Sequence, residues 1–356
     1  MRSLDILRFR LSNQQLTRTK FSSPAEVVKW FGAVQSQDYP GAKWAIGQRL
    51  PHATDASIED AFNKGEILRT HVMRPTWHFV HPSGIRWMLD LTAPQVKRKM
   101  SPYNKLLELD EKLFSSANKA FTKILGGKKS LTRQELKSEL TRIGIATNVQ
   151  RLAHIVMWAE LDKIIISGPI RGKQFTYMLL DERVPKESPL TRDEVLNELT
   201  KRYFQSHGPA TIQDFSWWSG LTAADSKKGI EFQRSKLEKE IIGKNVYYFF
   251  PAKPPEIDDK IYLLPNYDEY GIAYKERGAF YDQGNSPSLL TATRVPFNHM
   301  IIYKGKLTGM WKRTNKNDRV IIQAKFFSPP TSAEYIAFEK ETNRLSKFLN
   351  LPVKII

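Results

Sequence analysis

Cysteine is absent from the 356 residues, which removes disulfides, thiolate metal ligands and a cysteine nucleophile together. No apolar run reaches the ~18 residues that a membrane-spanning helix needs, and no low-complexity tract occurs. The stretch from Met1 to Lys20 lacks the apolar segment of a secretory signal. These absences point to a cytoplasmic chain without a membrane partner. Negative charge is also short: 37 Asp and Glu stand against 55 Lys and Arg, giving a net charge of +18 and a pI near 9.8. Such an excess favours a polyanionic partner. Nucleic acid comes first, because no amphipathic anchor or lipidation signal offers a lipid surface instead. The bland alternative is a soluble protein that is merely rich in lysine. The length allows about two to four units, each large enough for its own core.

Among what is present, the stretch Ala33-Val34-Gln35-Ser36-Gln37-Asp38-Tyr39-Pro40-Gly41-Ala42-Lys43-Trp44 draws attention. Val27, Val28, Phe31 and Val34 recur at helical spacing, which predicts a helix ending near Gln37, before a break at Pro40-Gly41. Residues two apart on a helix diverge by about 200°, whereas extended backbone places them on one side. In extended or turning chain Gln35 and Gln37 can therefore converge on one small target. A Gln-x-Gln pair at a helix end is otherwise a solvated or capping feature.

Leu4 to Val34 reads as two or three short helices, one starting at Pro24 with Ser23 as cap and Glu26 following. A capped helix at Ser57–Phe62 ends near Gly65, and Ile67 to Val80 reads as a β-ribbon bent at Arg74-Pro75. Pro82-Ser83-Gly84 opens another helix through Trp87 and Leu91. Three helices follow: Leu109–Leu125, one capped by Thr132 with Glu135 three residues on, and Val149–Leu161. Lys163–Ile166 and Lys173–Leu179 then flank a turn, completing the order of a winged helix. Its wing would place Arg171 and Lys173 to meet phosphates. Helices at Thr191–Ser206, Thr211–Ser219 and Ala223–Leu237, then β structure from Glu240 to Phe250, repeat that order, and residues 1–108 fit it loosely. A period of roughly 70–100 residues suggests tandem units. The expectation is an α+β chain with winged-helix domains at 1–108, 109–186 and 187–254. After a proline-rich linker at Pro251–Pro255, strands at Ile261–Leu264, Met300–Tyr303, Leu307–Trp311 and Val320–Ala324 would form a small β-barrel or sandwich over 255–356, closed by a helix at Ala333–Leu349.

The blocks Val34-Gln35-Ser36-Gln37, Arg69-Thr70-His71-Val72-Met73-Arg74-Pro75-Thr76-Trp77-His78-Phe79-Val80, Leu263-Leu264-Pro265-Asn266-Tyr267-Asp268-Glu269-Tyr270 and Gly309-Met310-Trp311-Lys312-Arg313 resemble the YcaQ/AlkZ family of bacterial winged-helix DNA glycosylases. The resemblance covers essentially the whole chain. It implies three tandem winged-helix domains and a C-terminal β-barrel arranged for duplex DNA. It also implies excision of alkylated bases such as N7-alkylguanine and, in some members, unhooking of interstrand crosslinks. Gln35 and Gln37 match the Gln-x-Gln form of the family's catalytic motif. DNA contacts carry over to Arg74, with Thr76 and His78 beside it, and to Lys312 and Arg313. Pro75 departs from the pattern, where glycine is expected, and alters the reach of its loop.

Neutral amides suit this chemistry. N7 alkylation makes the purine cationic, so the leaving group needs no general acid; a placed water and support for an oxocarbenium-like sugar remain. His71, His78 and His81 suggest zinc, but without cysteine the reading is weak, and neither metal nor cofactor is expected. Asp268 and Glu269 are either a catalytic carboxylate pair or a turn cap held by a nearby cation. A lysine Schiff base remains open among so many lysines. The reading is thus a monofunctional glycosylase on double-stranded DNA. No coiled-coil heptad signals a dimer, so a monomer is expected. The rival is a non-catalytic winged-helix DNA-binding protein or transcriptional regulator.

Overall fold

Local capping chemistry sets the first helix that matters to the site. Ser23 Oγ accepts the Glu26 N–H at 3.3 Å while the Glu26 carboxylate accepts the Ser23 N–H at 3.0 Å, a reciprocal capping box that opens the helix Pro24–Phe31. Val27, Val28 and Phe31 are fully buried on its inner face. The helix stops earlier than its apolar spacing predicts. Gly32 takes φ +80°, a conformation that glycine adopts without a Cβ penalty, and the chain continues as the strand Ala33–Gln35. Val34 is buried from that strand rather than from a helix turn. The expected break at Pro40-Gly41 is instead a helix start, because Tyr39–Gly47 is helical. Proline in a first turn gives up only an N–H that has no helical partner. Gly41 is small for a reason: a Cβ there would lie 2.6 Å from a carboxylate oxygen of Asp38 and 3.0 Å from Asn266 Oδ1.

The structure is a computed structural model that describes residues 3–280 and 298–356. The chain divides into two units. The first gathers Met1–Glu59, Asn197–Trp218 and Thr222–Ile356; the second holds Asp60–Leu196 with Ser219–Leu221. Among the described residues no helix is long and apolar enough to cross a membrane.

In the first unit the C-terminal strands make one five-stranded sheet. Its order is Val353–Ile355, Val320–Phe326, Lys306–Asn315, Met300–Tyr303, Ile261–Leu264. The first pair is parallel and the others antiparallel. Lys304 and Gly305, with φ of +50° and +81°, make the two-residue turn between Met300–Tyr303 and Lys306–Asn315, as twist-matched hairpins require. Leu264, Met300, Ile302 and Leu307 pack with Leu11 and Leu16 of the N-terminal segment. Helix Ser332–Leu349, opened by a Thr331/Glu334 capping box, buries Phe338, Leu345 and Phe348. Where a small β-barrel or sandwich is expected over 255–356, these strands form one sheet whose edges, among the described residues, are Val353–Ile355 and Ile261–Leu264.

The second unit carries the ribbon Leu68–His71 and Trp77–Val80, paired antiparallel with Leu68 opposite Val80 and His71 opposite Trp77. The helix Pro82–Leu106 follows, far longer than its first apolar turns suggest. Helices Glu111–Leu125, Arg133–Arg142 and Val149–Leu161 bury Phe114, Phe121, Leu136, Leu140 and Leu152 in a common core. A three-stranded sheet completes it, with Thr176–Leu179 between Leu131–Thr132 and Ile165–Ser167.

Candidate active site

Gln35 ends the strand Ala33–Gln35 and is 6% exposed. Its backbone N–H donates to Glu269 Oε1 at 2.8 Å. The other oxygen of that carboxylate accepts from Trp218 Nε1 at 3.0 Å and faces His207 Nε2 at 3.3 Å. Burial pushes the His207 pKa below its ordinary value, against the pull of Glu269, so the ring is neutral near pH 7 with Nε2 as its donor. Nδ1 then faces Ser206 Oγ at 2.7 Å. Glu269 is 1% exposed and therefore sits under the glutamine strand as a deeply buried acceptor of three N–H groups.

The carboxylate is held in place by its neighbour. Asp268 caps the short helix Glu269–Ile272 by accepting the Tyr270 N–H at 2.9 Å. It also receives both arms of Arg49, each at 2.9 Å. Of the two readings of this acidic pair, Asp268 follows the turn-cap and cation reading, whereas Glu269 reaches the Gln35 backbone. Sequence reasoning gave Glu269 no part in the glutamine motif. The 234 residues between them leave no local pattern to find.

Gln37 is exposed two residues beyond Gln35, and Ser36 between them is fully buried. Asp38 follows, close enough to two side chains of the sheet to bias their ionisation. His299 stands edge-on to Trp311, its centroid 4.8 Å away. Burial and then Arg313 push its pKa down to about 4, with Asp38 pulling the other way. Burial also lowers the pKa of Arg313, opposed by Asp38 and Asp55. Arg313 thus belongs to the surroundings of the glutamine segment, while Lys312, its neighbour on the strand, is exposed.

The remaining predicted contacts lie in the second unit. Arg74 is half-buried at a bend in which Arg74 N–H donates to the Val72 carbonyl at 2.6 Å and Thr76 N–H to the Arg74 carbonyl at 2.7 Å. Two successive bonds of this reach are tight γ-type turns, which is how Pro75 is accommodated. Thr76 is half-buried with its hydroxyl unmatched among the described residues. His78 is fully buried; Nδ1 lies 2.9 Å from the Thr76 carbonyl, and burial together with Arg74 pushes its pKa well down. A side chain so enclosed braces the bend rather than meeting a phosphate. His71, one of the three histidines of the zinc reading, pairs with buried Glu160. Among the described residues no three His, Cys, Asp or Glu gather into a metal cluster.

Arg171 is ion-paired with Glu135, whereas Lys173 is exposed. Lys173 lines a cleft of about 510 Å³ together with Arg69, Trp77, Arg133, Lys137 and Phe175. The Arg69 guanidinium lies 4.5 Å from the Trp77 ring centre and 4.7 Å from that of Phe175. Arg133 and Lys137 were not singled out in the sequence, although their spacing of four on a helix starting at Arg133 is a visible signal.

No curated protein sequence matches the chain significantly. Its fold resembles the solved structure of the Streptomyces sahachiroi DNA glycosylase AlkZ, with a TM-score of 0.80 over 99% of each chain and 19% sequence identity. The sequence profile described as DNA glycosylase AlkZ-like matches residues 28–348, a span that includes the glutamine segment, its carboxylate partner and the basic cleft. The chain belongs to the AlkZ-like DNA glycosylase family.

Proposed function

We propose that the protein is a monofunctional DNA glycosylase that removes cationic alkylated purines, N7-alkylguanine first among them, with Gln35 and Gln37 as its catalytic pair. The observation that carries this reading is the attachment of the Gln35 backbone to buried Glu269, which fixes one glutamine in the fold while Gln37 stays exposed. In the reaction the C1′–N9 bond breaks with its electron pair going to the base, which leaves as a neutral purine. A water held by an amide oxygen attacks C1′ from the opposite face, and its proton passes to solvent. The amides contribute position and dipole rather than proton abstraction. Uncharged, stable lesions are correspondingly poor substrates. Unhooking of interstrand crosslinks through the same position is chemically the same bond cleavage and belongs to this proposal.

Duplex DNA is the partner, supported by the family and by the +18 charge. Arg74, Lys173, Lys312 and Arg313 are the proposed contacts, with Arg171 weaker because of Glu135. A division into winged-helix domains 1–108, 109–186 and 187–254 with a β domain at 255–356, a monomeric state and a cytoplasmic location complete the reading. In single-turnover excision from N7-methylguanine DNA, Gln35→Ala and Gln37→Ala should each slow the step about 10–10³-fold with DNA affinity nearly unchanged, and Gln37→Ala, at an exposed position, should also leave the melting temperature nearly unchanged. Wild-type rates in both variants would refute the assignment. No release of base by the wild-type protein, with tight DNA binding retained, would favour a non-catalytic DNA-binding protein.

A further inference from the structure

We infer that Glu269 supplies the negative charge that a Gln-x-Gln motif lacks, acting as a positioning residue beneath Gln35 whose field favours a cationic sugar. This rests on the glycosylase reading above and deepens it. Among the described residues the groups that hydrogen-bond the Glu269 carboxylate are the Gln35 backbone at 2.8 Å, Trp218 at 3.0 Å, and His207, whose pKa burial lowers, at 3.3 Å. Among the described residues no lysine or arginine lies within ion-pair distance of it. Arg49 has both arms on Asp268, and Arg10 stands 3.8 Å from Asp214. The neighbouring arginines thus have carboxylates of their own, and Glu269 is a buried carboxylate that, among the described residues, has no lysine or arginine against it.

An anion buried without a counter-ion costs stability, and structures retain such groups chiefly at functional sites. Here the missing counter-charge is one the reaction creates. When the C1′–N9 bond breaks, positive charge moves from the base to the sugar, next to the strand that Glu269 holds. A fixed charge acting through water-poor protein stabilises that developing cation, and it does so without the reorganisation that solvent would need. The carboxylate has two effects through one contact: it sets the position of Gln35 by its backbone, and it biases the site toward cations. A merely structural role would give only the first.

Binding to DNA carrying a cationic pyrrolidine in place of the target sugar, compared with DNA carrying the neutral tetrahydrofuran analogue, separates the two. The wild-type protein should prefer the pyrrolidine duplex by about 10- to 100-fold, the effect of one charge at short range. Glu269→Gln should lose most of that preference while keeping its affinity for the tetrahydrofuran duplex, and should slow excision of N7-methylguanine by a similar factor. Glu269→Asp, which keeps the charge, should retain the preference. A wild-type protein that binds both duplexes equally overturns the proposal even if Glu269→Gln does not fold, and so does a Glu269→Gln variant that folds and keeps the full preference. Failure of the glutamine assignment reads differently: the preference would still follow the charge at residue 269 while Gln35→Ala and Gln37→Ala excised at wild-type rates.

Discussion

Removing Asp268 should destabilise the first unit by about 4 kcal/mol. Arg49 is 2% exposed and makes five hydrogen bonds: 2.9 Å to each Asp268 oxygen, 2.7 Å to the Ala45 carbonyl, and 2.9 and 3.1 Å to the carbonyl and Oε1 of Gln14. In Asp268→Ala three of these remain, but the guanidinium loses its only bidentate partner and stays charged inside the protein. Breaking a buried ion pair in this way costs about 3–5 kcal/mol. Loss of the cap on the Tyr270 N–H contributes about 1 kcal/mol more where the two effects do not overlap. Asp268→Asn keeps an acceptor for Tyr270 and one arm of Arg49, so it should lose less, while Arg49→Met/Asp268→Leu should recover part of the loss because no charge is stranded. Urea unfolding followed by tryptophan fluorescence measures all three. A loss below about 1 kcal/mol in Asp268→Ala would refute the reasoning, since the pair would then be no better than a solvated one.

Burial raises the Glu341 carboxyl from 4.5 to about 7, against the opposing effect of Arg344. The folded state thus holds its proton longer than the unfolded chain, and stability should fall as pH rises from about 4.5 to 7. The full cost above that window is about 3 kcal/mol. Glu341→Gln should flatten the fall, gaining most at pH 8 and little at pH 4.5 in denaturant melts; a parallel pH dependence in wild type and variant would contradict this. Lys137→Ala and Lys173→Ala should each make the dependence of duplex affinity on salt shallower by up to about 0.9 in log–log slope, measured by fluorescence anisotropy, if the cleft neutralises a phosphate with each. Arg171→Ala should change the slope less, because Glu135 already balances that charge.

What could be read ahead of the structure was chemistry that closes within a few residues. The Ser23/Glu26 and Thr132/Glu135 capping boxes fall where their patterns place them, and Val149–Leu161 begins and ends as its flanking residues indicate. Gln35 shows where this stops. Its apolar neighbours fit a helix and a strand equally well, and Gly32 decided between them through a backbone angle that a hydrophobic pattern does not encode. Glu269 was in view but unassigned, because its three donors come from Gln35, His207 and Trp218, residues with no sequence relation to one another. Edge pairing of a sheet is non-local in the same sense, which is why the four strands read from the sequence did not reveal the parallel pairing of Val353–Ile355 with Val320–Phe326.

The interruption of the first unit by Asp60–Leu196 has a consequence for biosynthesis. Gln35 leaves the ribosome 234 residues before Glu269, and Arg49 precedes Asp268 by 219. At roughly 5–20 residues per second this is a delay of about 10–50 s, during which a nascent chain holds a guanidinium and a backbone N–H whose carboxylate partners do not yet exist. Asp60–Leu196 is continuous and has no such wait for most of its contacts. A polypeptide truncated before Pro265 would carry Gln35 and Arg49 but lack Asp268 and Glu269, the carboxylates that hold them.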